Sequence, residues 1–124
     1  MTSWTTDELN KIGSADELEI SSRRSDGTLR PYVTIWAVRA GDDIFVRSAA
    51  GADNPWYRRA IASGTGRIQA GGVESDVTFE PATAEVQDSI DAEYHAKYDR
   101  YGAQTVNPVT GEHSHDVTLR LVSH

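Results

Sequence analysis

The sequence predicts an α+β fold, a small and mainly antiparallel β-barrel with peripheral helices. Three observations lead there. Short runs of β-branched and aromatic residues recur between turn-forming residues. Strands do not alternate with helices as parallel βαβ units require, so the pairing is antiparallel. A sheet of several short strands within 124 residues is expected to curl on itself. That length suits one domain over 1–124, with no room for a second core.

Thr5-Thr6-Asp7-Glu8 followed by Leu9 and Ile12 reads as a capping box opening a short helix that ends near Gly13. Leu18 to Arg23 alternates as a strand, and Ser25-Asp26-Gly27 makes a turn. Tyr32 to Val38 is the best strand in the chain. Val33, Ile35 and Ala37 share one face, and Tyr32, Thr34, Trp36 and Val38 the other. Neither face carries a charge, so both should be covered, one by core and one by a helix, a partner subunit or a flat ligand. Gly41-Asp42-Asp43 turns into a strand over Ile44 to Ser48. A loop of small residues, 49–53, precedes a helix with Asn54 as N-cap and Pro55 at its first position. Thr65–Ala70 and Val73–Glu80 form a hairpin about Gly71-Gly72. Residues 83–101 read as the longest helix, with Val86, Ile90, Tyr94, Tyr98 and Tyr101 on a stripe. Residues 102–115 read as a loop, and Val117–Val122 as a closing strand.

Charge narrows the function. Twelve bases against nineteen acids give −7, which disfavours a general nucleic-acid binder. The absence of cysteine excludes a disulfide scaffold, thiolate metal ligation and cysteine catalysis. No apolar run is long enough for a membrane-spanning helix, and the first residues carry no leader-like segment, so a cytoplasmic protein is expected. The charge is also uneven. Residues 20–70 hold eight bases, all arginine, and four acids, whereas the rest holds four bases and fifteen acids. Arginine's planar fork suits phosphate or carboxylate, so the middle segment points to a small anionic ligand. The bland alternative is that these arginines pair with the acidic flanks.

The stretch Ser48-Ala49-Ala50-Gly51-Ala52-Asp53-Asn54-Pro55-Trp56-Tyr57-Arg58 has the character of an anion site. Small residues admit a ligand close to backbone N–H groups, and a helix N-terminus follows, with Arg47, Arg58 and Arg59 beside it. It matches neither a Walker loop nor a dinucleotide fingerprint. His113 and His115 share one side of an extended chain, but two histidines without a third ligand read as an exposed loop, and no metal site is assigned. His95 lies four residues from both Asp91 and Asp99, a spacing that allows a carboxylate–imidazole pair on a solvated helix face. His124 is expected to be mobile. No catalytic residue is identified.

Arg24-Ser25-Asp26-Gly27-Thr28-Leu29-Arg30-Pro31, the strand to Val38, Gly41-Asp42-Asp43, Val46-Arg47-Ser48, Gly51 and Asn54-Pro55-Trp56-Tyr57-Arg58 resemble, in order, the landmarks of deazaflavin-dependent nitroreductases. Those belong to the flavin-binding split-barrel superfamily, alongside pyridoxamine-phosphate-oxidase-like proteins. The whole chain also resembles a bacterial family, the domain of unknown function 2255, often placed near that superfamily. The resemblance covers about residues 18–100 and implies a split-barrel-like fold. It further implies FMN or a deazaflavin as cofactor, an oxidoreductase acting on a small organic substrate, and a homodimer. By position, Arg24, Arg30, Thr34, Ser48, Ala49, Gly51, Trp56 and Arg58 would bind the cofactor, and Tyr32 and Trp36 would line the substrate pocket. The family loop often has a lysine and paired glycines where this chain has Ala49-Ala50-Gly51, which favours the alternative, a cofactor-free binding protein or enzyme retaining the barrel. A third possibility is an interaction module, suggested by the acidic helix near 85–99.

Overall fold

The computed structural model describes residues 4–49 and 51–123; Ala50 of the small-residue loop and His124 lie outside the described residues. Helix α1 (Thr6–Ser14) opens with the capping box read from the sequence, the Thr5 hydroxyl accepting from Glu8 N–H and the Glu8 carboxylate from Thr5 N–H. Then follow β1 (Leu18–Ser22), β2 (Val33–Ile35), β3 (Ala37–Ala40), β4 (Asp43–Arg47) and α2 (Pro55–Ser63). β5 (Thr65–Ala70), β6 (Val73–Pro81), α3 (Gln87–Tyr98), α4 (Ala103–Val106), α5 (Glu112–His115) and β7 (Thr118–Ser123) complete the order.

All seven strands form one antiparallel sheet in the order β2-β1-β5-β6-β7-β4-β3. The edge strands β2 and β3 are separated in sequence by Trp36 alone. One residue spans only about 3.5 Å, so the two edges must meet and the sheet must wrap into a nearly closed barrel. This corrects the single strand read over 32–38, since local β-propensity does not register a break there. Tertiary partners make the break tolerable. The Tyr98 hydroxyl accepts from Ala37 N–H at 3.2 Å and donates to Asp16 O at 2.7 Å. Lys97 Nζ donates to Ala37 O at 2.7 Å.

The alternating faces of this segment fall on two cores. Val33, Ile35 and Ala37 pack into the barrel interior with Ile20, Ile68 and Leu119. Trp36 and Val38 face outward onto Ile90, Tyr94 and Tyr98 of α3. Trp36 stacks on Tyr98 at a centroid distance of 4.0 Å and an interplanar angle of 6°. The second, uncharged face is therefore covered by the chain's own helix over Trp36 and Val38, and Thr34 stays exposed.

The segment read as a loop over 102–115 holds α4, α5 and the turn Asn107–Val109, with Val106 and Val109 buried against α3. Three or four helical residues carry too little periodicity to register in a sequence. The helix read over 83–101 has its ends tightened into single turns at Ala84–Val86 and Asp99–Tyr101. β7 lies between β6 and β4 and closes the barrel wall, and the β5–β6 hairpin turns at Gly71-Gly72 as expected. No helix of the described residues is long and apolar enough to cross a membrane.

Candidate functional site

The eight arginines of the middle segment divide into two groups. Arg23 and Arg67 share Asp76, at 2.8 and 3.0 Å. Arg39 Nη1 donates to Asn10 Oδ1 at 2.7 Å, with Asp42 at 3.9 Å. Arg47, which sequence order places beside the anion loop, has a fully buried side chain and is ion-paired with Asp91. Its remaining donors go to Thr118 Oγ1 at 3.0 Å, Val109 O at 2.8 Å, and the carbonyl and Oε1 of Gln87 at 3.3 and 2.8 Å. Those bonds occupy its N–H groups, so Arg47 is structural.

Among the described residues the other four, Arg24, Arg30, Arg58 and Arg59, have no carboxylate partner within ion-pair distance. All four line one open cleft of about 780 Å³, together with Arg23, and no acidic side chain lines it. Arg24 is steadied by the turn, donating to Leu29 O at 3.0 Å. The turn itself is held by Asp26, whose carboxylate accepts from Thr28 N–H at 3.0 Å and the Thr28 hydroxyl at 2.7 Å. These bonds, the Thr28 hydroxyl foremost, hold the Asp26 carboxyl below its ordinary pKa. The other wall of the cleft is α2, which presents Pro55, Arg58, Arg59 and Ala62 to it. Their spacing of three, four and seven residues is one helical face, and that signal would have added Arg59 to the candidates.

A narrow gap lined by Arg30, Arg59, Val33 and Trp56 adjoins the cleft. Val33 and Trp56 in turn line a second pocket of about 360 Å³, whose walls include Thr34, Ile35, Trp36 and Ala49. Asn54, Thr105 and Val109 also line it and were not among the sequence candidates, and the buried Arg47 forms part of its wall as well. Thr105 and Val109 come from a segment 50 residues downstream, and nothing local marks them. The site thus runs from a guanidinium cleft, past Trp56, to a largely apolar pocket.

The sequence candidates are distributed over this path. Arg24, Arg30 and Arg58 meet at the cleft, and Thr34, Trp36, Ala49 and Trp56 meet at the apolar pocket. Ser48 and Gly51 line neither; Ser48 is buried, and its hydroxyl donates to Gly51 O, which fastens the loop. Gly51 has φ +74°, a left-handed conformation that glycine adopts without strain. Tyr32 is half-buried and lines neither depression. Asn54 occupies the N-cap position without a side-chain cap bond. His95 pairs with Asp99 at 2.8 Å on the helix surface. His115 bonds Asp91 at 3.0 Å from within α5, so its chain is helical there and not extended.

Asp91 is the hub of the structural network. Partial burial raises its pKa, but hydrogen bonds from His115 and Arg47, the Arg47 charge and Gly111 N–H together hold the carboxyl below its ordinary value. The network ties β4, α3 and the 109–115 segment together and so supports the pocket wall at Val109.

A near-closed antiparallel barrel with a lateral cleft of this kind defines a split-barrel-like protein. The chain belongs to the family described as an uncharacterized protein conserved in bacteria (DUF2255), which it matches over residues 8–121. Solved structures share the fold at low identity. An F420-H2 dependent reductase is 18% identical, with a TM-score of 0.62 over 87% of this chain and 94% of its own. An FAD-binding protein from Mesorhizobium loti is 16% identical, with a TM-score of 0.55 over 98% and 91%. A conserved hypothetical protein from Mycobacterium tuberculosis is 11% identical, with a TM-score of 0.69 over 98% and 81%. No curated protein matches.

Proposed function

We propose that the protein is a cytoplasmic flavin- or deazaflavin-dependent oxidoreductase of the split-barrel type, acting on a small organic substrate. The observation that carries this reading is the convergence of four carboxylate-free arginines on a cleft that continues into an aromatic-walled pocket. The residues fit such a group: a cofactor with an anionic tail and a flat ring needs a cationic end and an apolar end, in that order. Named relatives of this fold, a reductase and an FAD-binding protein, support it.

On this reading Arg24, Arg30, Arg58 and Arg59 hold the anionic end. Ser48 and Gly51 act indirectly, by fastening the loop before α2. Trp56 and Val33 border the middle, and Thr34, Trp36 and Ala49 line the place of the ring. A bound flavin or deazaflavin would supply the hydride chemistry, so the chain needs no nucleophile or acid–base pair of its own. Its own task is to orient the ring and keep water away. The pocket is open on the side of the exposed Thr34 and Thr105, and a second copy of the chain would close it.

Titration of the purified protein with FMN and with a deazaflavin tests the reading, followed by quenching of cofactor fluorescence. Saturable binding of either, weakened by Arg30→Ala, is the expected outcome. A protein that binds neither leaves the cofactor-free barrel in its place. Sedimentation equilibrium is expected to show a dimer.

A further inference from the structure

We propose that Asn54 and Trp56 form a hydrogen-bonding clamp for a neutral hydroxyl of the ligand, at the bend where the guanidinium cleft leads into the apolar pocket. The clamp rests on the flavin-type reading above and adds the chemistry of the segment that joins ring and anion. A buried indole N–H ordinarily finds an acceptor. Trp4, 3% exposed, follows that rule and donates to Leu121 O at 2.9 Å. Trp56, 7% exposed, does not: no described residue accepts from its Nε1–H. Among the described residues the Tyr94 hydroxyl is the one side-chain polar atom both enclosed and unbonded, so the Trp56 N–H still reaches solvent. Trp56 lines both the narrow gap beside the cleft and the apolar pocket, so its donor opens into that passage.

Asn54, two residues earlier, lines the same pocket. Asparagine at an N-cap ordinarily spends its side chain on the first N–H groups of the helix. Here the side chain makes no cap bond and bonds no other described residue. Its half-buried amide keeps both a donor and an acceptor. The other polar groups of the pocket differ. Arg47 has spent its N–H donors within the fold, and Thr34 and Thr105 stand exposed at the open side. A donor-only indole beside an amide is complementary to a hydroxyl, which accepts from Trp56 Nε1–H and donates to Asn54 Oδ1. An apolar linker would leave both groups unpaired, at a cost to binding. With the anion in the cleft and the ring in the pocket, the segment that passes Trp56 joins the two, and it is therefore hydroxylated.

The purified protein is titrated with riboflavin and lumiflavin, and with their 5-deaza counterparts, by fluorescence quenching. The first of each pair carries a hydroxylated chain and the second a methyl group. Neither has a phosphate, so the guanidinium cleft does not enter the comparison. The chain-bearing member of at least one pair is expected to bind about tenfold tighter than its bare ring. Asn54→Ala is expected to remove that margin while leaving the affinity of the bare ring and the melting temperature unchanged. Trp56→Phe is expected to narrow the margin too, measured per folded molecule because Trp56 also belongs to the barrel core. No margin within either pair in the parent overturns the clamp. So does an Asn54→Ala variant that keeps the margin or weakens both members of a pair alike. Saturable binding of FMN or a deazaflavin beside such a result leaves the cofactor reading standing, whereas a protein that binds none of these compounds overturns both.

Discussion

Arg47 and Arg30 belong to the same basic stretch of chain, yet the structure uses them in opposite ways. Arg47 ends β4 and points under α3, where a carboxylate, a hydroxyl and three carbonyl oxygens take up its guanidinium. Arg30 follows the Ser25-Asp26-Gly27 turn and lines the cleft with its guanidinium unpaired. The region under α3 is a closed ledger of charge and hydrogen bonds. The region between the turn and α2 is an open one, lined by four unpaired arginines and the Asp76-paired Arg23, with no acidic side chain in its lining. Burying a charge requires a partner, whereas leaving one half-exposed does not, so unpaired cations gather where solvent or a ligand reaches them. The even division of the arginines is therefore informative: one group holds the fold, and the other is free to hold something else.

The largest expected effect lies in the closed region. Arg47→Met removes a buried charge and leaves Asp91 and Gln87 without their partner, and should lower unfolding free energy by about 3 kcal/mol in a chemical denaturation series. Anion affinity at the guanidinium cleft, which Arg47 does not line, should change far less per molecule folded. The converse holds at the cleft. Arg30→Ala and Arg58→Ala should each cost about tenfold in affinity for an anionic ligand, measured by calorimetry, while stability stays within about 0.5 kcal/mol of the parent. If Arg30→Ala destabilises the chain as much as Arg47→Met, the contrast between the regions is broken.

Asp91 sharpens the contrast through pH. Its pKa is lower in the folded chain than in the unfolded one, so the unfolded state binds the proton more readily. The stability it contributes is complete above its unfolded value, near 4, and is lost as pH falls through the folded one. A stability profile between pH 2 and 6 should show this acid limb, and Asp91→Asn should flatten it. The smallest effect expected is that of salt. Raising ionic strength from about 0.05 to 0.5 M should weaken anion binding at the open cleft severalfold and leave the melting of the Arg47 network nearly unmoved, because only exposed charges are screened.

Much of the fold was legible before the structure. The Thr5–Glu8 box and the β5–β6 hairpin about Gly71-Gly72 are local patterns that fold as they read, and of the stripe over Val86, Ile90, Tyr94, Tyr98 and Tyr101 the middle three are buried, whereas Tyr101 lies beyond the end of α3 and is exposed. The break at Trp36 was not legible. Tyr32 to Val38 has uninterrupted strand propensity, and what divides it is a lysine and a tyrosine 60 and 61 positions away that occupy the backbone of Ala37. The short helices α4 and α5 escape the sequence for a related reason: α4 is held by Val106 packed in the cluster under α3, and α5 by the His115–Asp91 bond to α3, not by periodicity of their own.

At the candidate site the division is the same. Composition alone determined that the middle of the chain is rich in arginine and poor in acid, and turn chemistry alone placed Arg24 and Arg30 on either side of a glycine turn. Which of those arginines would find carboxylates was decided only by tertiary structure, because an ion pair forms between side chains close in space, and Arg47 meets Asp91 across 44 positions of sequence. Arg59 joins the cleft, and Ser48 and Tyr32 stay out of it, for that reason as well: side-chain direction follows from how α2 and the sheet pack, and no single segment carries that information.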